Sequence, residues 1–399
     1  MQRIVILGAG FAGLWAAAGA ARALDAFGIG PGRVKITLIN RDAWHGIRVR
    51  NYEADLDAIR VPLAAVLDPI GVHLVEGEVT DIDLAQHTVR CLVAGKGVAL
   101  RYDRLVFALG SALVRPAIPG LAEHGFDVDT FAGARRLADH LAGLAGRPAS
   151  PGRDTVLVVG AGLTGIEAAT EMVGRIGPGA RVILADHAPQ VGSDMGDSAR
   201  PVIETALAAL GVETRMGVSV AAVEAGGAVL STGEAIPAAT VIWCAGMRAS
   251  PLTARFPVER DWLGRLPVDP TLKIIGCEAE FAVGDSARAM VDDSHASVMS
   301  CQHSRPMGRF GGHNAVADLL GRPLLPLRIE WYTTILDLGA WGAVYTEGWD
   351  RQVVAQGAAA KQTKQIINRQ RIYPPLTGDR RAILDAAAPV IQAPPQRFR

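Results

Sequence analysis

Short apolar runs closed by glycine set the rhythm of this chain. Ile4-Val5-Ile6-Leu7 is a continuous apolar run of strand length. It breaks at Gly8-Ala9-Gly10-Phe11-Ala12-Gly13, and the Ala-rich stretch Leu14–Leu24 that follows reads as a helix. The same succession returns at Thr155–Val159, Gly160-Ala161-Gly162-Leu163-Thr164-Gly165 and the helical run Ile166–Met172. Elsewhere the pattern alternates. Arg33–Ile39, His73–Glu76, Glu78–Ile82, Thr88–Val93 and Val98–Leu100 read as strands, and Tyr102–Leu109 as a buried strand running into Gly110-Ser111. Leu56–Leu67 reads as a helix interrupted near Pro62. After a Gly177-Pro178-Gly179 turn come strands at Arg181–Ala185, Glu213–Val223, Val229–Leu230 and Thr240–Cys244, with a helix at Ala199–Leu210. A last helix covers Gln302–Leu320.

Strands alternating with helices, twice over, predict an α/β fold with two Rossmann-like dinucleotide-binding domains. The apolar strand Phe281-Ala282-Val283 ends in Gly284-Asp285 and returns the chain to the first domain. That domain is therefore discontinuous, over residues 1–115 and 256–325. The second is inserted at 116–255, entered through the Pro116–Pro119 linker. Residues 326–399 make a small C-terminal region. It holds an aromatic-rich stretch (Trp331–Trp349), a basic helix (Ala358–Gln370) and a Pro-rich tail expected to be poorly ordered.

Each glycine of such a turn has its own task. Gly8 permits the tight turn, Gly10 lets the backbone approach a pyrophosphate, and Gly13 lets helix and strand pack closely. The free N–H groups and positive dipole end of the helix then hold the phosphates. Gly160, Gly162 and Gly165 repeat this. The residue closing the next strand reaches the adenosine ribose. It is Asn40 in the first unit and Asp186 in the second. No arginine follows Asp186 closely, which favours NADH over NADPH; the bland alternative is an ordinary loop carboxylate. Gly284 admits a close backbone approach, and Asp285 offers a carboxylate to a polyol hydroxyl.

Composition narrows the function. The 399 residues are 49% hydrophobic and 20% charged with a formal net charge of zero, which speaks against nucleic acid as a partner. No stretch approaches a membrane span, and the first strand begins at the N-terminus, so a cytoplasmic location is expected. The cysteines Cys91, Cys244, Cys277 and Cys301 show neither disulfide nor zinc spacing, and no metal site is expected.

Ile4–Leu14, Val158–Met172, Thr240–Gly246 and Phe281–Asp285 stand in the order found in two-dinucleotide-binding-domain flavoproteins. Over roughly residues 1–325 the chain resembles the type II NADH dehydrogenases (NADH:quinone oxidoreductases) among them. The resemblance implies FAD in the first site and NADH in the second, with hydride passing from NADH to the flavin and electrons onward to a quinone. By motif, Gly8, Gly10, Phe11, Ala12 and Gly13 would hold the FAD pyrophosphate, Asn40 and Arg41 would lie at the adenosine, and Val79 at the adenine. Arg48, Ala108, Gly110, Gly284, Asp285 and Gln302 would line the rest of the FAD. Gly160, Gly162, Gly165, Asp186 and Gly246 would hold NADH. Glu167, beside the nicotinamide ribose, and Gln302 are the candidate catalytic residues. Read from position alone, Glu167 on the first helical turn could equally be a dipole-stabilised surface carboxylate.

Two departures bear on the acceptor. The family's Ala-Gln-x-Ala-x-Gln-x-Gly pattern reads Cys301-Gln302-His303-Ser304-Arg305-Pro306-Met307-Gly308 here, and Pro306 has no side-chain donor. The loop Trp44–Tyr52, apolar in relatives, carries Arg48 and Arg50. Both changes make the acceptor side more polar, unless these arginines form a solvated loop face. No C-x₄-C pair follows the first ribose-binding strand, so electrons should reach the acceptor without a thiol relay; Cys301 is the one thiol beside the flavin. Three readings stay open: a quinone-reducing dehydrogenase, a soluble flavin reductase with a polar small-molecule or protein acceptor, and a slow-turnover NADH/FAD redox sensor. The basic helix is a poor membrane anchor, so at most weak peripheral contact with the cytoplasmic membrane face is expected. The aromatic stretch Trp331–Trp349, expected to be exposed, reads equally as a homodimer face, an acceptor wall or a strand pair covering the flavin.

Overall fold

The computed structural model describes residues 1–177 and 179–398; Pro178, inside the expected Gly-Pro-Gly turn, and Arg399 lie outside the described residues. β1 (Gln2–Leu7) runs into α1 (Phe11–Ala26) and β2 (Val34–Asn40). β3 (Thr155–Val159), α2 (Leu163–Ile176) and β4 (Arg181–Asp186) repeat that unit. α3 (Cys301–Leu319) follows, then β5 (Thr333–Asp337), β6 (Ala343–Glu347), β7 (Gln352–Gln356) and α4 (Gly357–Ile366).

β1 pairs in parallel with β2 and with Arg104–Phe107, and His73–Glu76 and Glu280–Ala282 complete a five-stranded parallel sheet. β3 lies between β4 and Thr240–Trp243 in a second five-stranded parallel sheet, flanked by Glu213–Met216 and Gly125–Phe126. Ile4–Leu7 and the whole of β3 are buried, as continuous apolar strands covered on both faces must be. Between the sheets, Ser111–Leu113 pairs antiparallel with Met247–Ala249.

α1 is buried along almost its whole length because α3 lies against it. A Cβ on Gly308 would sit 2.2 Å from the Ala12 carbonyl oxygen, and one on Gly312 2.0 Å from that of Ala16. Small residues one turn apart on both helices thus bring the backbones into direct contact. That contact fixes where α3 begins, and so where Cys301–Ser304 stand. Ser300 caps α3 by accepting from His303 N at 3.3 Å.

Three segments depart from expectation. Leu56–Leu67 is not an interrupted α-helix: after a 3-10 turn at Asp57–Ile59, Arg60–Pro62 pairs with Trp44–Gly46, and only Ala64–Leu67 is α-helical. Pro62 denies a helix its N–H, and the Arg60 guanidinium is held over the rings of Trp44 and Phe131 at 4.5 and 3.7 Å. The aromatic stretch is not an open face, since Tyr332 stacks on Trp349 at 4.4 Å and Trp349 on His295 at 4.3 Å. The tail expected to be disordered is docked. Asp379 caps a helix over Arg380–Ala386, and Ile383 and Leu384 enter the core of the first unit. Beyond it, Thr363 Oγ1 donates to the Gln396 carbonyl at 3.2 Å. Two apolar side chains and a cap outweigh a polar, Pro-rich composition.

β5–β7 form an antiparallel sheet on α2, where Leu336, Leu338 and Val344 pack with Ala169 and Met172. α4 turns Ala360, Thr363 and Lys364 inward and leaves Gln362 and Gln365 exposed. No helix of the described residues is long and apolar enough to cross a membrane.

Candidate functional site

The two glycine turns have the same construction. Gly8 has φ +88°, and its Cβ would lie 2.7 Å from the Ala108 carbonyl; Gly160 has φ +106°, with the Ala245 nitrogen 2.9 Å from such a Cβ. A Cβ on Gly13 or Gly165 would sit 1.7 Å from the carbonyl oxygen of Gly8 or Gly160. The middle glycines are different. Nothing lies within 4 Å of a Cβ built on Gly10, and Gly162 meets only Asp194 Oδ2 at 4.0 Å. Neither helix has a side-chain cap or an acidic residue in its first turn. Each turn therefore offers a hollow lined by unspent N–H groups at a positive helix end, a cradle that fits a pyrophosphate.

The loops around the first turn are tied to it. Asn40 Oδ1 accepts from Ala9 N at 2.9 Å, and its amide donates to the Asp42 carbonyl at 2.9 Å. Asp186 does the same in the second unit, accepting from the N–H groups of Ala161 and Ala188. Behind the first turn His45 is wholly buried, with Nδ1 2.8 Å from the Ala9 carbonyl, so Nδ1 carries the proton and donates. Burial pulls its pKa from 6.5 to about 4. His303, whose Nδ1 accepts from Val298 N at 2.9 Å, is likewise brought to about 4 by burial. Both stay neutral in the folded chain, whereas the unfolded chain takes up their protons near 6.5. Stability should fall as pH drops from 6.5 toward 4, by about 3 kcal/mol for each histidine once pH is below 4. His303→Asn, whose Oδ1 can still accept from Val298, should flatten the pH dependence of the urea midpoint across that window. An unchanged slope would remove this role from His303.

A cavity of about 1160 Å³ runs through the site. Gly8, Gly10, Phe11, Ala12, Asn40, Arg41, Arg48, Val79, Ala108, Gly110, Asp285 and Gln302 line it, and so does Glu167 on α2. Gly160, Gly162, Asp186 and Gly246 do not; they stand at the second turn, outside its walls. Gly13, Gly165 and Gly284 serve packing, and a Cβ on Gly284 would lie 2.6 Å from that of Ala12. Asp285 is held by the hydroxyls of Ser111, at 2.6 Å, and Ser304, at 3.3 Å.

The arginines of the polar loop separate. Arg48 faces the cavity, ion-paired with Asp129, and donates to the Ser111 carbonyl at 3.1 Å. Arg50 is turned away and buried, 2.6 Å from Glu53 Oε2 and 2.7 Å from the Tyr373 hydroxyl. It braces the loop and reaches no part of the cavity. Neither is a solvated loop arginine.

Glu167 is not a surface carboxylate. It is buried, 2.6 Å from Lys364 Nζ of α4, and accepts from Asp337 N at 3.1 Å. Burial raises its pKa, against the pull of Lys364. Burial alone would lower Lys364, but the charge and hydrogen bond of Glu167, with the Asp337 charge, together outweigh it and leave the lysine raised. Gln302 Oε1 accepts from Thr333 Oγ1 at 3.3 Å, which joins α3 to the C-terminal sheet. Cys301 lines the cavity as a free thiol whose pKa burial pushes up. It is held as a neutral thiol, the opposite of what a relay needs. The sequence reading missed Asp129, Ser111 and Lys364. None sits in a motif, and each enters through a partner distant in the chain.

The pyridine nucleotide-disulphide oxidoreductase family matches residues 2–308. A NADH dehydrogenase-like protein of Mycobacterium tuberculosis is 59% identical over 403 residues, spanning 99% of this chain and 100% of that one. A type II NADH:quinone oxidoreductase of Staphylococcus saprophyticus is 26% identical, over 93% of this chain and 95% of that one. In fold, the chain matches NDH2 from Plasmodium falciparum in complex with NADH with a TM-score of 0.77 at 14% identity, covering 96% and 97% of the two chains. The chain belongs to the pyridine nucleotide-disulphide oxidoreductase family, and it is an NAD(P)H-dependent flavoprotein oxidoreductase.

Proposed function

We propose that this enzyme oxidises NADH at its second dinucleotide turn, holds FAD at its first, and passes electrons to a quinone. The observation that carries the reading is the continuity of the cavity. It runs from Gly8–Ala12, past Leu163, Thr164 and Glu167 at the start of α2, to a wall of Trp331, Ile335, Ile367 and Ile372. Bound there, a flavin supplies the hydride chemistry that links a nicotinamide to an acceptor. The chain supplies position. Gly8, Gly10, Phe11, Ala12 and Gly13, with Asn40, Arg41 and Val79, take the adenosine diphosphate half. Arg48, Ala108, Gly110 and Asp285 line the remainder, Gly284 packs against Ala12 just before Asp285, and Gln302 stands at the N-terminus of α3. Gly160, Gly162, Gly165, Gly246 and Asp186 take NADH, with Glu167 on the nicotinamide side. The apolar wall suits a flat quinone ring, and the type II relative named above supports that acceptor. The polar outward residues of α4 support a chain that touches membranes weakly if at all.

Anaerobic stopped-flow reduction of the flavin-loaded protein tests this. NADH should bleach the flavin at least about tenfold faster than NADPH, since Asp186 repels a 2′-phosphate. A short-chain quinone should then restore the colour rapidly. Fast bleaching followed by slow reoxidation would overturn the quinone reading and keep the dehydrogenase.

A further inference from the structure

Three guanidinium groups stand together beside α3, and among the described residues no carboxylate pairs with them. Arg305 and Arg309, one turn apart on α3, are 7% and 2% exposed. Arg371 comes from the turn after α4 and is half-buried. The charged or ionisable neighbours of Arg309 are Arg305 and Arg371, those of Arg305 are Cys301, Arg371 and the buried His45, and Arg371 has Tyr345. The protein offers little else. Arg309 Nη1 donates to the Ala386 carbonyl at 3.4 Å, Arg371 donates to the Ala393 carbonyl, and the Trp15 ring lies 5.2 and 5.6 Å from the Arg305 and Arg309 guanidiniums. Among the described residues no acceptor meets Nε of Arg305 or of Arg309. Burial lowers both arginines to about 10, which still leaves them cationic at neutral pH.

Clustered buried cations without a counter-charge are strongly unfavourable, and planar guanidiniums match oxyanions in geometry. All three line the cavity, as do Cys301, a neighbour of Arg305, and the tail residues Gln392 and Pro395. We infer that this branch of the cavity binds an oxyanion, so that the acceptor is a planar ring compound bearing a carboxylate or a phosphate. The identification of the ligand as the acceptor rests on the proposed function; the oxyanion site does not.

The test uses flavin-loaded protein and redox-inert probes of one shape. By titration calorimetry, 2-naphthoate or 2-naphthyl phosphate should bind at least about tenfold more tightly than neutral 2-naphthamide. The tighter of the two assigns carboxylate or phosphate. Arg305→Met should abolish the preference while the flavin-to-protein absorbance ratio stays unchanged. Arg371→Gln, on the half-buried rim, provides a second variant should the first not fold. Equal binding of amide and anions, or a preference that survives Arg371→Gln and Arg305→Met, would overturn the site. It would also be the outcome if the flavin's own phosphates occupied the arginines. A preference for anions with no turnover of a carboxylated naphthoquinone would keep the site and overturn only the acceptor assignment.

Discussion

Gly10→Ala is expected to give a folded protein that has lost its flavin, and Gly13→Ala a chain that folds poorly or not at all. The two glycines are three residues apart in one turn, yet the space around them differs in kind. At Gly13 the added Cβ would meet the Gly8 carbonyl oxygen at 1.7 Å. That is backbone against backbone, so no rotamer relieves it, and β1 and α1 must separate. Overpacking of this kind costs about 3 kcal/mol or more, a large part of a stability of roughly 5–15 kcal/mol. At Gly10 the backbone is extended, φ −67° and ψ −169°, and no protein atom lies within 4 Å of the added methyl. Apoprotein stability should then change by less than about 0.5 kcal/mol. FAD affinity should drop about 10- to 100-fold, or ~1.4–2.8 kcal/mol, as the methyl enters the cradle. Gly162→Ala extends the contrast: it should keep flavin and stability but raise KM for NADH. Thermal unfolding of the apoprotein and the flavin-to-protein absorbance ratio read both effects. A Gly10→Ala protein that keeps stoichiometric flavin through dialysis would show that the first turn is not the FAD cradle.

The turns were legible in the sequence because their constraints are local. A φ near +90° at Gly8 and a strand packed under Gly13 are decided within a few residues, and glycine is what such places demand. The parallel strands were legible for a similar reason, since burial on both faces writes a continuous apolar run. What stayed hidden is non-local. Arg48 and Asp129 meet across 81 residues, Glu167 and Lys364 across 197, and Arg50 and Tyr373 across 323. Each is a charged or polar residue that a sequence reading places on a surface by default. Gly308, Gly311 and Gly312 illustrate the reverse error. By propensity they weaken α3 by roughly 1 kcal/mol each relative to alanine. In the folded chain Gly308 and Gly312 meet the carbonyls of α1, and a Cβ on Gly311 would strike Val283 Cγ1 at 2.4 Å. The local cost is outweighed by a helix–helix contact that the sequence does not announce.

Lys364→Met should be the most damaging single change in the C-terminal region. Lys364 is the sole cation among the described residues within ion-pair reach of Glu167, and both side chains are 10% exposed. Removing it leaves a buried carboxylate with one N–H donor, that of Asp337, at 3.1 Å. Breaking a buried pair from one side costs about 3–5 kcal/mol. The loss has a pH signature. Burial already raises the Glu167 carboxyl above its ordinary value of 4.5 with Lys364 opposing, and without the lysine it must rise further. The unfolded chain then gives up this proton near 4.5 while the folded chain keeps it. Stability of the variant should therefore fall as pH rises above 4.5, until the shifted folded-state value is passed. The double variant Glu167→Gln, Lys364→Met removes both charges and should recover most of the loss at pH 8. Urea midpoints at pH 5 and pH 8 for the single and double variants settle the matter. A single variant as stable as the double at pH 8 would mean that Glu167 escapes to solvent when its partner is gone. The pair would then be incidental to how the C-terminal sheet is held over α2. If the pair does hold it, the single variant should also show a raised KM for quinone, because Ile335, whose carbonyl accepts from Lys364 Nζ at 3.0 Å, belongs to the wall on which that ring is proposed to rest.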